Sequence, residues 1–214
     1  MMYPTHAPSS RPQPTGIRAL SGRADRPVQA RIVDAASRLF ADKGYAATST
    51  AEIVAAAGVT KPMVYYYFSD KAGLFQAVME QVNRVLGEGL SGLDHRALAP
   101  REALIRIARL LFRLTREAPT TMRLHFASYY GPRAASLGGT MEAGPLATHV
   151  ALHKVMQRGL EQGLLQGDPY ELACAFQGTL NFHLMTHLSR PAEVPLESGL
   201  AERTVDLLLR GAAG

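Results

Sequence analysis

The residues with the clearest chemical character lie in one short run, residues 58–75, which reads GVTKPMVYYYFSDKAGLF. Three of the chain's eight tyrosines, Tyr65, Tyr66 and Tyr67, stand side by side in it, between Lys61 and Lys71. Lysine and tyrosine side chains donate hydrogen bonds to phosphate oxygens, and lysine can also donate to guanine O6 and N7. Neighbouring residues of a helix point about 100° apart, so the three tyrosines cannot all face one core. Some of them must point outward, towards a partner or solvent.

Two histidine pairs are the other residues whose spacing suggests chemistry. His149 and His153 stand four residues apart, as do His183 and His187, and that spacing puts each pair on one face of a helix. Such pairs can bind zinc or a similar metal, but they also occur as structural histidines or as a polar lining. No Glu follows His183, so the metalloprotease signature is missing.

Enzyme motifs do not stand out elsewhere in the sequence. We find no phosphate-cradling glycine loop, no G-x-S-x-G and no paired acidic and histidine motif. The sequence therefore predicts a protein that is not an enzyme and needs no cofactor, with a histidine-based metalloenzyme as a weaker alternative.

Composition favours a helical, soluble protein. The chain has 214 residues, 47% of them hydrophobic, and a formal net charge of +5. It has one cysteine, Cys174, so no internal disulfide can form, and we expect this residue in the core rather than as a reactive thiol. No signal peptide or membrane span is recognisable, which predicts a cytoplasmic location. The modest charge suggests an anionic partner but argues against a protein that packages DNA without sequence preference.

The N-terminal third predicts a basic arm followed by short helices. Residues 1–26 are rich in Pro, Ser and Arg and predict a flexible arm, either a solvated tail or a segment that contacts DNA. A first helix should run from Pro27 to Gly44. Ser49 and Glu52 have the spacing of a capping box for a second helix, which should end at Gly58. Thr60 can then cap a third helix, and two short helices joined by a tight turn form a helix-turn-helix.

The remaining sequence predicts longer helices and no strands. A fourth helix should start near Asp70 and carry an apolar stripe formed by Leu74, Phe75, Val78, Val82 and Val85. Further helices are expected at about 100–117, 119–130, 146–166, 168–188 and 195–210, with a loop rich in Gly and Pro after residue 130. The fold class predicted is all-α.

Residues 30–75 resemble the DNA-binding domain of the TetR family of transcriptional regulators. The positions that carry the resemblance are Ile32, Ala35, Ala36, Leu39, Phe40, Gly44, Tyr45, Thr48, Ile53, Ala57, Gly58, Val59, Tyr65, Phe68, Lys71 and Leu74. Val54 and Ala72 depart from the usual family residues, but neither lies on the expected DNA face. The resemblance implies a three-helix helix-turn-helix domain at residues 27–73 and a helical effector-binding and dimerisation domain at residues 74–214.

The resemblance also implies which residues contact the double-stranded DNA of an operator. These positions are Thr48, Thr60, Lys61, Pro62, Met63, Tyr65, Tyr66, Tyr67 and Lys71. Val64 and Phe68 should instead pack on Ile53, Val54 and Ala57. The tyrosines would then lie at the surface, between the small core of the domain and the DNA backbone.

An effector pocket should be mostly apolar with a few converging polar groups. The candidates are Leu111, Met122, His125, Phe126, Tyr129, Phe176, Leu180, His183 and Met185. The function implied is a homodimeric regulator, commonly a repressor, that binds a palindromic operator and is released by an unidentified small-molecule effector. The fourth helix would transmit the signal. The alternative is a metal-sensing regulator that uses the two histidine pairs.

Overall fold

The computed structural model describes residues 25–93, 97–130 and 146–212, and nine helices and no strand occur within them. The helices are α1 (Asp25–Ala47), α2 (Thr50–Ala57), α3 (Lys61–Phe68), α4 (Lys71–Ser91), α5 (Pro100–Glu117), α6 (Pro119–Tyr130), α7 (Leu146–Glu161), α8 (Pro169–Ser189) and α9 (Leu200–Ala212). The all-α prediction is therefore confirmed. In these ranges no helix combines the length and the apolar character that crossing a bilayer requires.

Local sequence signals determine where α1 and α2 end. Helical geometry in α1 is interrupted at Gly44, whose φ of 80° lies in the left-handed region that glycine tolerates. The predicted capping box is present: the Glu52 amide donates to the Ser49 hydroxyl, and the Glu52 carboxylate accepts from the Ser49 amide. Gly58 then ends α2 in the left-handed conformation, with its amide bonded to the last carbonyls of the helix.

Helices α3 and α4 begin differently, and a short turn joins them. Thr60 occupies the N-cap position of α3 as predicted, but its side chain makes no capping hydrogen bond. Asp70 caps α4, and one of its carboxylate oxygens accepts from the Gly73 amide at 2.7 Å. Ser69, between the two helices, has a positive φ of 62°.

One helix, α4, connects the two parts of the molecule. It contacts α1 and α3 of the N-terminal part, and it also packs against α5, α6 and α7. Leu74, Val78 and Val82 are buried as predicted, whereas Phe75 and Val85 are only half-buried. Residue 73, the predicted domain boundary, therefore lies inside a continuous helix. A second connection forms where α6 packs against α1.

Several predicted boundaries and one predicted environment differ from the structure. Helix α7 ends at Glu161 rather than near 166, because Gly163 takes a left-handed φ of 68°. Helix α9 begins at Leu200 rather than near 195, after Gly199 with a φ of 86°. Cys174 is exposed on α8 and not part of the core. Helix α1 begins at Asp25, inside the predicted arm, and the rest of the arm and the predicted loop 131–145 lie outside the described residues.

Candidate DNA-binding surface

Helix α3 has one buried face and one exposed face. Val64 and Phe68 are buried together with Ile53 and Ala57 of α2, as predicted. The opposite side is open to solvent, with Lys61 and Pro62 exposed and the side chains of Tyr65 and Tyr66 42% and 72% accessible. A short helix packed by two apolar residues, with cationic and hydroxyl groups on its outer side, has the shape required to enter a major groove.

The three tyrosines of α3 have different environments. The Tyr66 ring packs edge-on against Tyr67, with ring centroids 5.1 Å apart. Tyr67 is half-buried and also approaches the Phe68 ring. Lys61 Nζ lies 5.8 Å from the Tyr65 ring centroid. Tyr67 therefore supports this surface from below, while Tyr65 and Tyr66 are exposed on it.

Two further predicted contact residues lie at the start of α3. Thr60, at the N-cap position, is exposed, and Met63 in the first turn is half-buried. Both therefore border the exposed face, and Met63 is only partly accessible from it.

Lys71 lies at the start of α4, beside the exposed face of α3. Its Nζ is 4.3 Å from the Tyr45 ring centroid, a cation–π contact that fixes the side chain. Tyr45 in turn packs edge-on against Phe75, and burial together with the nearby Asp70 carboxylate raises the Tyr45 pKa. The ammonium group thus adds to the positive potential at a helix N-terminus, a combination suited to a phosphate.

Two contacts position the helix-turn-helix, and sequence analysis did not find either of them. Arg31 of α1 donates from Nη2 to the Gly58 carbonyl oxygen at 3.1 Å, which braces the turn before α3. Lys43 pairs with Glu52 across the α1–α2 junction at 2.6 Å. The Lys43 ammonium and the Ser49 cap lower the pKa of Glu52 to about 2. Both contacts join residues that no local pattern relates.

Gly73 makes a third positioning contact that the sequence analysis missed. A Cβ atom built on Gly73 would lie 2.2 Å from the Phe68 carbonyl oxygen, far inside van der Waals contact. Glycine therefore lets the first turn of α4 approach the end of α3. The only sequence signal was a glycine within the first turn of a helix, where alanine is normally preferred.

We expect Gly73→Ala to destabilise the protein by about 1–3 kcal/mol, because the added methyl group must displace backbone atoms. Gly87→Ala is the matched control, since it lies on the same helix and a Cβ there meets nothing within 4 Å. That control should be neutral or more stable by up to about 1 kcal/mol. Urea unfolding measures both, and equal free energies of unfolding for the two variants would contradict the proposed close approach.

Lys71→Ala should weaken binding to all DNA sequences alike. Loss of one phosphate contact should reduce the slope of log affinity against log salt concentration by about 1. Fluorescence anisotropy at several salt concentrations measures this, with Lys154→Ala on the exposed face of α7 as the control. A Lys71→Ala variant with the wild-type slope would exclude Lys71 from the phosphate contacts.

Thr48 differs from the other predicted contact residues. Its side chain is 1% exposed, and its hydroxyl donates to the carbonyl oxygens of Gly44 at 2.8 Å and Leu39 at 3.2 Å. These bonds tie the loop before α2 to the end of α1. Thr48 therefore supports the domain from inside, and its side chain does not reach the outer surface.

The predicted effector-pocket residues do not form one environment. Seven are buried or half-buried in the helical core: Leu111, Met122, His125, Phe126, Phe176, Leu180 and His183. Met185 is instead exposed on α8, which contradicts its assignment to a pocket lining. The Tyr129 side chain lies outside the described residues. Clefts of about 580 and 450 Å³ in the described ranges open beside α5 and α9, and none of these candidates lines them.

One histidine of each pair has an ordinary structural partner. His149 Nδ1 lies 3.1 Å from Gln177 Oε1, and the His149 ring packs edge-on against Tyr170. His187 donates from Nδ1 to the Val194 carbonyl oxygen at 2.8 Å. No three His, Cys, Asp or Glu side chains converge on a possible metal position anywhere in the described ranges. The geometry does not favour the metal-sensing alternative.

The fold and the outer face of α3 define a helix-turn-helix domain. Residues 32–78 match the model of the bacterial regulatory proteins of the tetR family. The chain is 35% identical over 92 residues to the HTH-type transcriptional regulator AcrR of Shigella flexneri, a match that covers 43% of this chain and 42% of that protein. The matched segment therefore carries a DNA-binding domain of the tetR-family type.

Solved structures share the fold over most of the chain. A tetR-family regulatory protein from Rhodococcus RHA1 superposes with a TM-score of 0.72 at 21% identity, covering 87% of this chain and 97% of that one. The SmeT–triclosan complex superposes with a TM-score of 0.67 at 21% identity, covering 87% and 92%. The curated relatives are matched over half of their own length or less.

Proposed function

We propose that this protein is a ligand-responsive repressor that binds a palindromic operator as a homodimer and is released by a small-molecule effector. The observation that carries the proposal is the division of α3 into a buried face, Val64 and Phe68, and an exposed face with Lys61, Tyr65 and Tyr66. Tyrosines that served only to stabilise the fold would be expected to be buried, whereas Tyr65 and Tyr66 are exposed to solvent. The contacts proposed are those predicted from the sequence, except Thr48.

An exposed apolar face on α8 supports the homodimer. Phe182 is 70% exposed, and Met185 and Cys174 are exposed on the same helix. Gly178 lies between them in sequence, and a Cβ there would meet nothing within 4 Å, so a partner helix could approach closely. Helix α9, which packs against α8, adds the exposed Leu207. An apolar surface of this kind is typical of an interface between identical subunits.

The effector site is proposed at the buried cluster around His125. Burial lowers the pKa of His125, so its imidazole is neutral near pH 7 and can both donate and accept a hydrogen bond. Met122, Phe126, Phe176 and Leu180 supply apolar side chains in the same core. This chemistry suits a largely apolar molecule with one polar group. The complex of the related SmeT with triclosan supports a ligand of that class.

A two-plasmid reporter tests the direction of regulation. The DNA upstream of the coding region drives a reporter gene, and the protein is supplied from a second plasmid. Repression predicts lower expression when the wild-type protein is present and recovery with a Lys61→Ala, Tyr66→Ala double variant. Increased expression would indicate an activator, and unchanged expression would contradict regulation through this DNA.

A further inference from the structure

The outer face of α5 carries a stripe of arginines that DNA binding does not explain. Arg106, Arg109, Arg113 and Arg116 follow each other at intervals of three, four and three residues, so they lie on one side of the helix, and all four are exposed. The opposite side of α5 is buried in the core. The stripe faces the segment that leads into α9, and a cleft of about 580 Å³ lies between them. That volume is within the range of small-molecule sites.

The cleft has an apolar floor beneath the arginines. Leu93, Leu110, Phe112 and Ala201 line it together with the four guanidinium groups. Leu110, Phe112 and Ala201 are buried residues of the core whose edges reach the cleft. A cationic rim above apolar carbons is suited to a molecule with an anionic head and an apolar body.

The positive charge of the cleft is only partly compensated. Four arginines and two carboxylates, Glu197 and Glu202, line it, which leaves a formal charge of 4 − 2 = +2. Glu202 pairs with Arg109. A hydrogen bond from its own backbone amide and the Arg109 guanidinium lower the Glu202 pKa, so Glu202 is ionised and already paired. Arg106 pairs with Glu102 of α5 at 2.8 Å, and Glu197 pairs with Arg203 of α9 at 3.8 Å, so neither Arg106 nor Glu197 contributes to the excess.

Two arginines carry the excess charge. Arg116 donates from Nη1 to the Leu196 carbonyl oxygen at 2.8 Å, which holds the side chain without neutralising it. Arg113 has no ion-pair partner within the described ranges, and the two guanidinium groups stand three residues apart on one face. Like charges at this spacing repel each other, and an anion between them would remove the repulsion.

We propose that this cleft binds a small organic anion, in which Arg113 and Arg116 hold a carboxylate or phosphate group while the apolar body rests on Leu110 and Phe112. The site differs from the proposed effector cluster around His125, and it does not depend on DNA binding. Because both α5 and the start of α9 line it, the bound anion would hold α9 against the rest of the domain.

Isothermal titration calorimetry with octanoate tests the site. Arg113→Glu should reduce octanoate affinity at least about 10-fold, because it replaces one charge-assisted contact by a repulsion. Arg84→Glu is the matched control, since Arg84 is an exposed arginine of α4 outside the cleft, and it should stay within about 2-fold of the wild type. Octanol should bind much more weakly because it lacks the charge, and inorganic phosphate should bind more weakly because it lacks the apolar body.

Three results would overturn the proposal. They are the absence of octanoate binding by the wild type, equal loss in the Arg113 and Arg84 variants, and octanol binding as tightly as octanoate. If Arg113→Glu does not fold, Arg113→Gln provides the same comparison with a neutral side chain. Circular dichroism of each variant verifies that the helices are retained.

Discussion

Replacing Phe182 by glutamate should leave the protein monomeric at concentrations at which the wild type is a dimer. Phe182 is 70% exposed in the isolated chain and lies on the α8 face proposed as the interface. A two-fold interface brings both copies of a residue into the same surface, so each dimer would bury two uncompensated carboxylates. Aromatic residues near the centre of an interface also contribute a large share of its binding energy. We expect the dimer dissociation constant to increase at least about 100-fold.

Sedimentation velocity across a range of concentrations measures this change. Phe182→Leu is the control, because it keeps an apolar side chain at the same position and should remain dimeric. Helix content should be unchanged in both variants, since the side chain contributes little to the folded monomer. A Phe182→Glu variant that sediments as the wild-type dimer would place the interface elsewhere, and a monomeric wild type would contradict the homodimer itself.

Tyr66→Ala should reduce the affinity for the specific operator about 5- to 150-fold, the range expected for loss of a contact worth about 1–3 kcal/mol. The side chain is 72% exposed, and its ring packs edge-on against Tyr67 at the surface. Its removal should therefore change the free energy of unfolding by less than about 0.5 kcal/mol. Anisotropy titrations against specific and scrambled duplexes, together with urea unfolding, measure the two effects separately.

Tyr66→Phe shows which part of the side chain acts. If the hydroxyl bonds a phosphate oxygen, Tyr66→Phe should weaken specific and scrambled duplexes equally. If the ring contacts a base edge, Tyr66→Phe should resemble the wild type while Tyr66→Ala loses discrimination. If Tyr66→Ala kept the wild-type affinity and the wild-type discrimination between specific and scrambled duplexes, Tyr66 would not be part of the DNA interface.

The helices of the N-terminal part could be predicted because their boundaries are encoded locally. Ser49 with Glu52, Gly58, and Asp70 each act within three or four residues along the chain, and each appears in the structure where the sequence placed it. The same reasoning failed where the decisive contact joins two helices. Gly73 is required by the Phe68 carbonyl, and Arg31 reaches Gly58 across 27 positions, which a local pattern cannot reveal.

Helix α8 illustrates a second limit. Its apolar residues occur on more than one face, with Phe176 and Leu180 buried while Phe182 and Met185 are exposed. Hydrophobicity alone therefore predicted that Cys174 and Met185 would face the core or the pocket. Only the packing of α5, α6, α7 and α9 against α8 shows which face is covered within one chain. The positions of clefts depend in the same way on several helices at once.

Selection of random DNA duplexes by the wild-type protein shows whether the exposed face of α3 recognises a DNA sequence. We expect enrichment of two inverted half-sites whose centres are about 34–36 Å apart, one turn of the double helix. The same selection with Tyr66→Ala should give a weaker or altered half-site. A selected pool indistinguishable from the starting pool would contradict a sequence-reading role for this face.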